Sequence, residues 1–140
     1  MSTLARIALL LLAFAILVVV GLPSTGMAWL RDDFRWIGRA AGWVESLHPA
    51  LDTVHLLLFA SLAALARLAL PGMPWMRLLL WLVLFSAVSE LVQFWAPGRE
   101  PKWSDFAQDL VGVALGLTPF AIWAMVRRIG RRKRHQSELQ

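Results

Sequence analysis

The sequence predicts an all-α membrane protein with four transmembrane helices and an amphipathic interfacial helix between the first and the second. Three observations carry that prediction. Of 140 residues, 59% are hydrophobic and only 16% charged, with a mean hydropathy of +0.62, which is more apolar surface than a soluble domain of this length can bury. The apolar residues gather in four runs close to the roughly 20 residues that a helix needs to cross a bilayer core. Helix breakers separate the runs: Pro23 and Gly26, then Pro71, Gly72 and Pro74, then Pro97, Gly98 and Pro101.

The first run covers residues 4–22. Arg6 before it and the small residues from Ser24 to Ala28 after it also fit a cleaved signal peptide, while a start at Met1 favours a retained anchor. The other runs cover residues 52–70, 77–95 and 104–126. Residues 1–126 thus form one membrane domain, followed by a basic tail over 127–140 that holds Arg127, Arg128, Arg131, Arg132, Lys133 and Arg134. The last dozen residues are polar enough for disorder. With four spans, Arg6, Arg67, Arg77 and the tail fall on one side, which the positive-inside rule makes cytoplasmic, together with both termini. The calculated pI of about 11.3 does not call for nucleic acid, because the basic tail lacks interleaved aromatics and suits anionic lipid equally well.

Between the first two runs, Trp29, Trp36 and Trp43 recur every seven residues, with Leu30, Ile37 and Val44 beside them. On one helix over 29–47 these residues share a face with Ala40 and Leu47. Arg31, Asp32, Arg35, Arg39, Glu45 and Ser46 take the other face, and Asp33 alone is misplaced unless it acts as an N-cap. The pattern predicts either a helix lying in the membrane interface or a lid over the bundle, ended by Pro49.

Ionisable groups then recur at one end of three runs. Asp52 and His55 open the second run, where Asp52 also reads as an N-cap and His55 as a hydrogen-bonded structural residue. Glu90 lies five residues before Trp95 in the third, roughly 7 Å below the helix end, with Gln93 one turn on. A protonated, internally bonded Glu90 is the plain structural alternative. Asp105 and Asp109 stack at i and i+4 in the fourth run; the helix dipole accounts for the first but not the second. Gly112 and Gly116 follow as a small-xxx-small pair that permits close helix approach. Convergence of four carboxylates, an imidazole and an amide on one layer marks a candidate site, and the excess negative charge calls for protons or a cation. With no cysteine, disulfides, thiolate metal sites and a cysteine nucleophile are excluded. The runs carry too few polar residues for a proton or ion path.

In their order and spacing, Asp52 and His55, Glu90 and Gln93, the turn Pro97, Gly98 and Arg99, and then Asp105, Asp109, Gly112 and Gly116 resemble the VanZ-like membrane proteins. The resemblance covers residues 52 to about 116 and leaves the amphipathic connection outside. Asp109 stands where many relatives have Asn, and Thr53 where Lys is frequent. The resemblance implies a bacterial inner-membrane protein of the cell envelope, with the family's namesake linked to resistance against the lipid-bearing glycopeptide teicoplanin. It brings no agreed reaction.

Two functions follow from the residues. In the first, an outward-facing pocket recognises an anionic lipid or a lipid-linked envelope precursor, with Arg99, Lys102 and Gln93 as ligand-binding residues and membrane lipids as partners. In the second, a membrane-embedded hydrolase or transferase acts on such a headgroup. His55 or Glu90 would then be its general acid or base, and Asp52, Glu90, Asp105 and Asp109 would hold Mg²⁺ or Mn²⁺. None of the common nucleophile-elbow, zincin or phosphate-loop motifs is present.

Overall fold

The computed structural model describes residues 3–47, 52–100 and 102–137, with side chains through residue 130 except that of Leu47. Their helices are α1 (Thr3–Gly21), α2 (Ser24–Asp33), α3 (Arg35–Leu47), α4 (Thr53–Ala69), α5 (Trp75–Phe94) and α6 (Trp103–Ser137). Each break follows local chemistry. Pro23 stands before α2, Leu70 and Pro71 end α4, and Pro74 precedes α5. Gly98 takes a φ of 76° in the α5–α6 turn, a left-handed conformation that a side chain would strain.

Three helices are long and apolar enough to cross a membrane: α1, α5 and residues Trp103–Gly130 of α6. The fourth expected span, α4, has 17 residues, about 25 Å at the helical rise, against a hydrocarbon core of about 30 Å. It is shorter because Asp52 caps its first turn and Leu70 already leaves the helix. Short as it is, α4 is the hub of the bundle and packs against α1, α5 and α6. The core joins Ile16 and Val20 of α1, Phe59, Leu62, Ala63 and Ala66 of α4, Leu78 and Leu82 of α5, and Val113 and Leu117 of α6. Leu10, Phe14, Trp81, Leu84, Leu115 and Ile122 point outward, as expected of side chains solvated by lipid tails.

The tightest contact is between α4 and α6. A Cβ atom on Gly112 would run into the Leu56 carbonyl, and one on Gly116 into the Ala60 carbonyl. The small-residue stripe thus packs within the chain and is not free to recruit a second subunit.

The connection between the first two runs is not the single helix over 29–47. It is broken at Phe34, whose φ of −102° and ψ of 68° leave the helical region. α2 and α3 fold against one another so closely that a Cβ on Gly38 would lie 2.8 Å from the Arg31 carbonyl oxygen. Arg31 Nη2 bonds Glu45 Oε1 at 2.6 Å, although fourteen residues along one straight helix would separate them by roughly 21 Å. Trp29 and Leu30 therefore leave the expected wheel, and Asp33 ends a helix where an N-cap was expected. Within α3 the apolar stripe holds, with Trp36, Ile37, Ala40, Trp43 and Val44 on one face and Arg35 and Arg39 along its flank. Pro49 lies outside the described residues.

The last helix passes residue 126 without a break and continues to Ser137, where disorder was expected. Arg and Lys are good helix formers and no proline follows Pro119. Arg127 packs its guanidinium over the Trp123 ring at 3.7 Å. The side chains of Arg131, Arg132, Lys133 and Arg134 lie outside the described residues.

If the α4–α6 contact sets the bundle, Gly116→Leu lowers stability by roughly 1–3 kcal/mol through overpacking. Gly72→Leu, which faces open space, leaves the thermal midpoint in detergent unchanged. Equal midpoints for the two variants would refute the close-packed interface.

Candidate functional site

The close contact between α4 and α6 also sets the register of the polar residues. Asp52 N–H donates to Gln108 Oε1 at 2.5 Å, a separation of 56 positions that recurs between Leu56 and Gly112 and between Ala60 and Gly116. One turn into α4, His55 therefore meets α6 at Asp109, with Nδ1 3.1 Å from Oδ1. Asp109 is fully buried. Its second oxygen, Oδ2, accepts a hydrogen bond of 2.8 Å from the Ser86 hydroxyl of α5. Three helices are thus tied through one carboxylate. With Asp109 accepting, His55 carries a proton on Nδ1.

Glu90 comes in from α5, one turn beyond Ser86. One ligand atom from each of His55, Glu90 and Asp109 lies within 4.8 Å of the others. Glu90 Oε2 accepts the Lys102 backbone N–H at 3.3 Å, while its Oε1 is buried with no hydrogen-bond partner among the described residues. Gln93 is buried on the same stripe, and its Nε2 also lacks a partner there. Ser89 returns its hydroxyl to the Ser86 carbonyl at 2.7 Å.

Beside this centre a groove of about 380 Å³ runs between α5 and the start of α6, lined by Ala87, Glu90, Leu91, Phe94, Lys102, Trp103 and Phe106. Leu91, Phe94 and Trp103 are exposed on the outside of the bundle, so the groove opens toward lipid. Its walls are apolar; Glu90 and Lys102 are the ionisable residues on them.

The expected convergence is therefore real for His55, Glu90 and Asp109, with Gln93 and Lys102 beside them. Asp52 stays at the helix end, where Oδ1 caps the His55 backbone N–H at 3.1 Å. Asp105 accepts the Ser104 hydroxyl at 3.0 Å and is not in the cluster. Arg99 is half-buried in the turn after α5, without an ion pair among the described residues. Ser86 and Gln108 were not anticipated. Ser86 had a legible signal, one turn before Glu90 on the same helix face; Gln108 had none, because its role depends on the α4–α6 register.

The end of the bundle that carries this centre is closed by the hairpin side of the chain. Ser24 N–H donates to the Pro97 carbonyl at 3.2 Å, and Ser24 Oγ occupies the space that a side chain on Gly98 would need.

An all-helical chain with apolar membrane-length helices and a polar centre buried near one end defines an integral membrane protein. Residues 7–124 match the VanZ/LLP1 family model, and the chain belongs to that family. The match takes in α1, α2 and α3 as well, so the connection expected to lie outside the resemblance is part of the family's domain. Neither the curated proteins nor the solved structures gave a significant match to this chain.

Asp109→Ala leaves His55 and Ser86 without their acceptor, at a cost of roughly 1–3 kcal/mol for each buried group stranded. Asp105→Ala stays within about 0.5 kcal/mol of wild type, as for a peripheral position. Thermal unfolding in detergent separates them, and a Asp109→Ala midpoint equal to wild type would count against the three-helix node.

Proposed function

We propose that this VanZ/LLP1-family protein recognises an anionic lipid or lipid-linked headgroup of the bacterial envelope. The observation that carries the reading is an apolar groove, open to lipid, that carries Glu90 and Lys102 on its wall, with Glu90 beside the His55–Asp109 pair. An acyl or isoprenoid chain suits the apolar walls. Lys102, with Arg99 in the neighbouring turn, supplies cationic donors for phosphate oxygens, and Gln93 supplies an amide donor that has no partner among the described residues. Carboxylates and His55 suit sugar or glycerol hydroxyls. A bearing on resistance to teicoplanin-type glycopeptides belongs to the same proposal.

A specific observation also favours a second reading, a hydrolase or transferase acting on that headgroup. A buried carboxylate that orients an imidazole, with a second carboxylate beside it, is an arrangement suited to general acid–base chemistry. The same three residues fit a divalent cation, since Glu90 Oε1 is left without a partner among the described residues. With an imidazole in place of Asp52 and Asp105, the donor set suits Mn²⁺ better than Mg²⁺.

Both readings meet in one experiment on the purified chain in phosphatidylcholine nanodiscs with a polyprenyl phosphate as probe. Arg99→Gln combined with Lys102→Gln weakens binding roughly 25-fold, about fivefold for each charge. Ala87→Trp, which fills the groove, weakens it as well. Unchanged affinity in both variants would sink the recognition reading. Phosphate release by wild type, abolished in Glu90→Gln with probe binding retained, would establish the enzymatic one.

The proposed setting is the cytoplasmic membrane, with α4 crossing as a fourth span, both termini cytoplasmic and the site facing outward. Arg6, Arg67, Arg77, Arg127 and Arg128 support this orientation. The chain has no cysteine, and Gly42 and Gly72 both face open space, so Gly42→Cys and Gly72→Cys are clean labelling positions. An impermeant maleimide labels Gly42→Cys in intact cells and Gly72→Cys only after permeabilisation of the cytoplasmic membrane. Labelling of both in intact cells would exclude a crossing α4.

A further inference from the structure

The fold at Phe34 creates a feature that neither the groove nor the polar centre uses. Folding α2 onto α3 brings Arg31 of one helix alongside Arg35 and Arg39 of the other, around a shallow cleft of about 300 Å³ that Asp32 and Gly38 complete. Gly38 is needed there because any side chain would strike the Arg31 backbone and force the helices apart. In sequence the three arginines look balanced by Asp32, Asp33 and Glu45. In space the balance is uneven. Glu45 is taken by Arg31 at 2.6 Å, and neither Arg35 nor Arg39 forms an ion pair with a carboxylate among the described residues. Arg39 donates Nε to the Arg35 carbonyl at 3.4 Å, which leaves its terminal nitrogens available.

Like charges at i and i+4 on an exposed helix face repel one another, and an anion bound between Arg35 and Arg39 would relieve that repulsion. The surroundings indicate which anion. Trp29, Trp36 and Trp43 are 58%, 66% and 68% exposed, large indoles that no element of the bundle covers. Trp36 and Trp43 lie three residues before and four residues after Arg39, on the border between the apolar face of α3 and its arginines. Such a helix pair suits the boundary between acyl chains and headgroups, where indoles sit below the phosphate level and arginines reach it. The hairpin is fixed to the same end of the bundle as the groove by the contact of Ser24 with Pro97.

We propose that the Arg31, Arg35 and Arg39 cleft is a binding site for the phosphate of an anionic phospholipid in the adjoining leaflet. Arg35 and Arg39 grip the phosphodiester oxygens, Arg31 closes the cleft from α2 while held by Glu45, and Asp32 at the rim meets the headgroup hydroxyls. The site shares no residue with the His55–Asp109 centre or its groove, and its occupant is a bulk membrane lipid.

The test uses the full chain, extracted in detergent and exchanged into mixtures of phosphatidylglycerol and phosphatidylcholine, with retained lipid counted by native mass spectrometry. Wild type retains phosphatidylglycerol in preference to phosphatidylcholine. Arg35→Gln combined with Arg39→Gln lowers that preference roughly 25-fold, about fivefold for each arginine near an anionic surface. Arg35→Lys with Arg39→Lys keeps the charge and recovers part of the preference, which guards against a misfolded neutral variant. No headgroup preference in wild type, or one that survives removal of both arginines, would overturn the proposal. Displacement of phosphatidylglycerol by millimolar inorganic phosphate would overturn its assignment to lipid in favour of free phosphate.

Discussion

The contact on which the rest of the structure depends is the approach of α6 to α4 at Gly112 and Gly116. In lipid, apolar side chains gain little by leaving a medium as apolar as themselves, so helices associate through close packing and hydrogen bonds. Two glycines, one turn apart, let α6 come against the Leu56 and Ala60 carbonyls, nearer than any side chain permits. Because those contacts repeat at one constant offset, they fix both the distance between the helices and their register. A different pairing along the same stripe would carry Asp109 a full turn away from His55.

That register explains why an expensive arrangement is tolerated. Asp109 is completely buried in an apolar bundle, where an unpartnered carboxylate would cost several kcal/mol. Here one oxygen takes the imidazole of α4 and the other the hydroxyl of α5, so its desolvation is offset by two directed bonds. The site is therefore also a structural node. Glu90 is different, since one oxygen reaches only a backbone amide and the other is without a partner among the described residues. The satisfied carboxylate holds three helices together, and the unsatisfied one lines the groove.

The hairpin of α2 and α3 shows how a single backbone break changes a chemical reading. On an unbroken helix the three tryptophans share one stripe and the three arginines are spread along the other. Folded at Phe34, the same residues yield a cleft of converging guanidinium groups, while the indoles remain uncovered. The close approach of Gly38 to the Arg31 backbone is the physical requirement, and the Arg31–Glu45 ion pair joins the two helices from the far end of α3.

By itself the sequence determined the helical class, most of the helix boundaries, and the end of the bundle at which polar groups gather. These follow from hydropathy, helix breakers and spacing, which are local properties. It also marked Asp52 as a cap and Gly112 and Gly116 as a packing stripe, since each has a short-range signature. Only the tertiary structure decided which carboxylates meet. Asp52 and Asp105 were as eligible as Asp109 by depth and composition, but helix phase and the α4–α6 register turn Asp109 inward and leave the other two at the rim. Ser86 and Gln108 entered for the same reason, as partners that no local pattern names. The break at Phe34 was hidden because Trp and Arg continued the helical period straight through it, and only contact between the two halves of the connection makes the fold worth its interrupted hydrogen bonds.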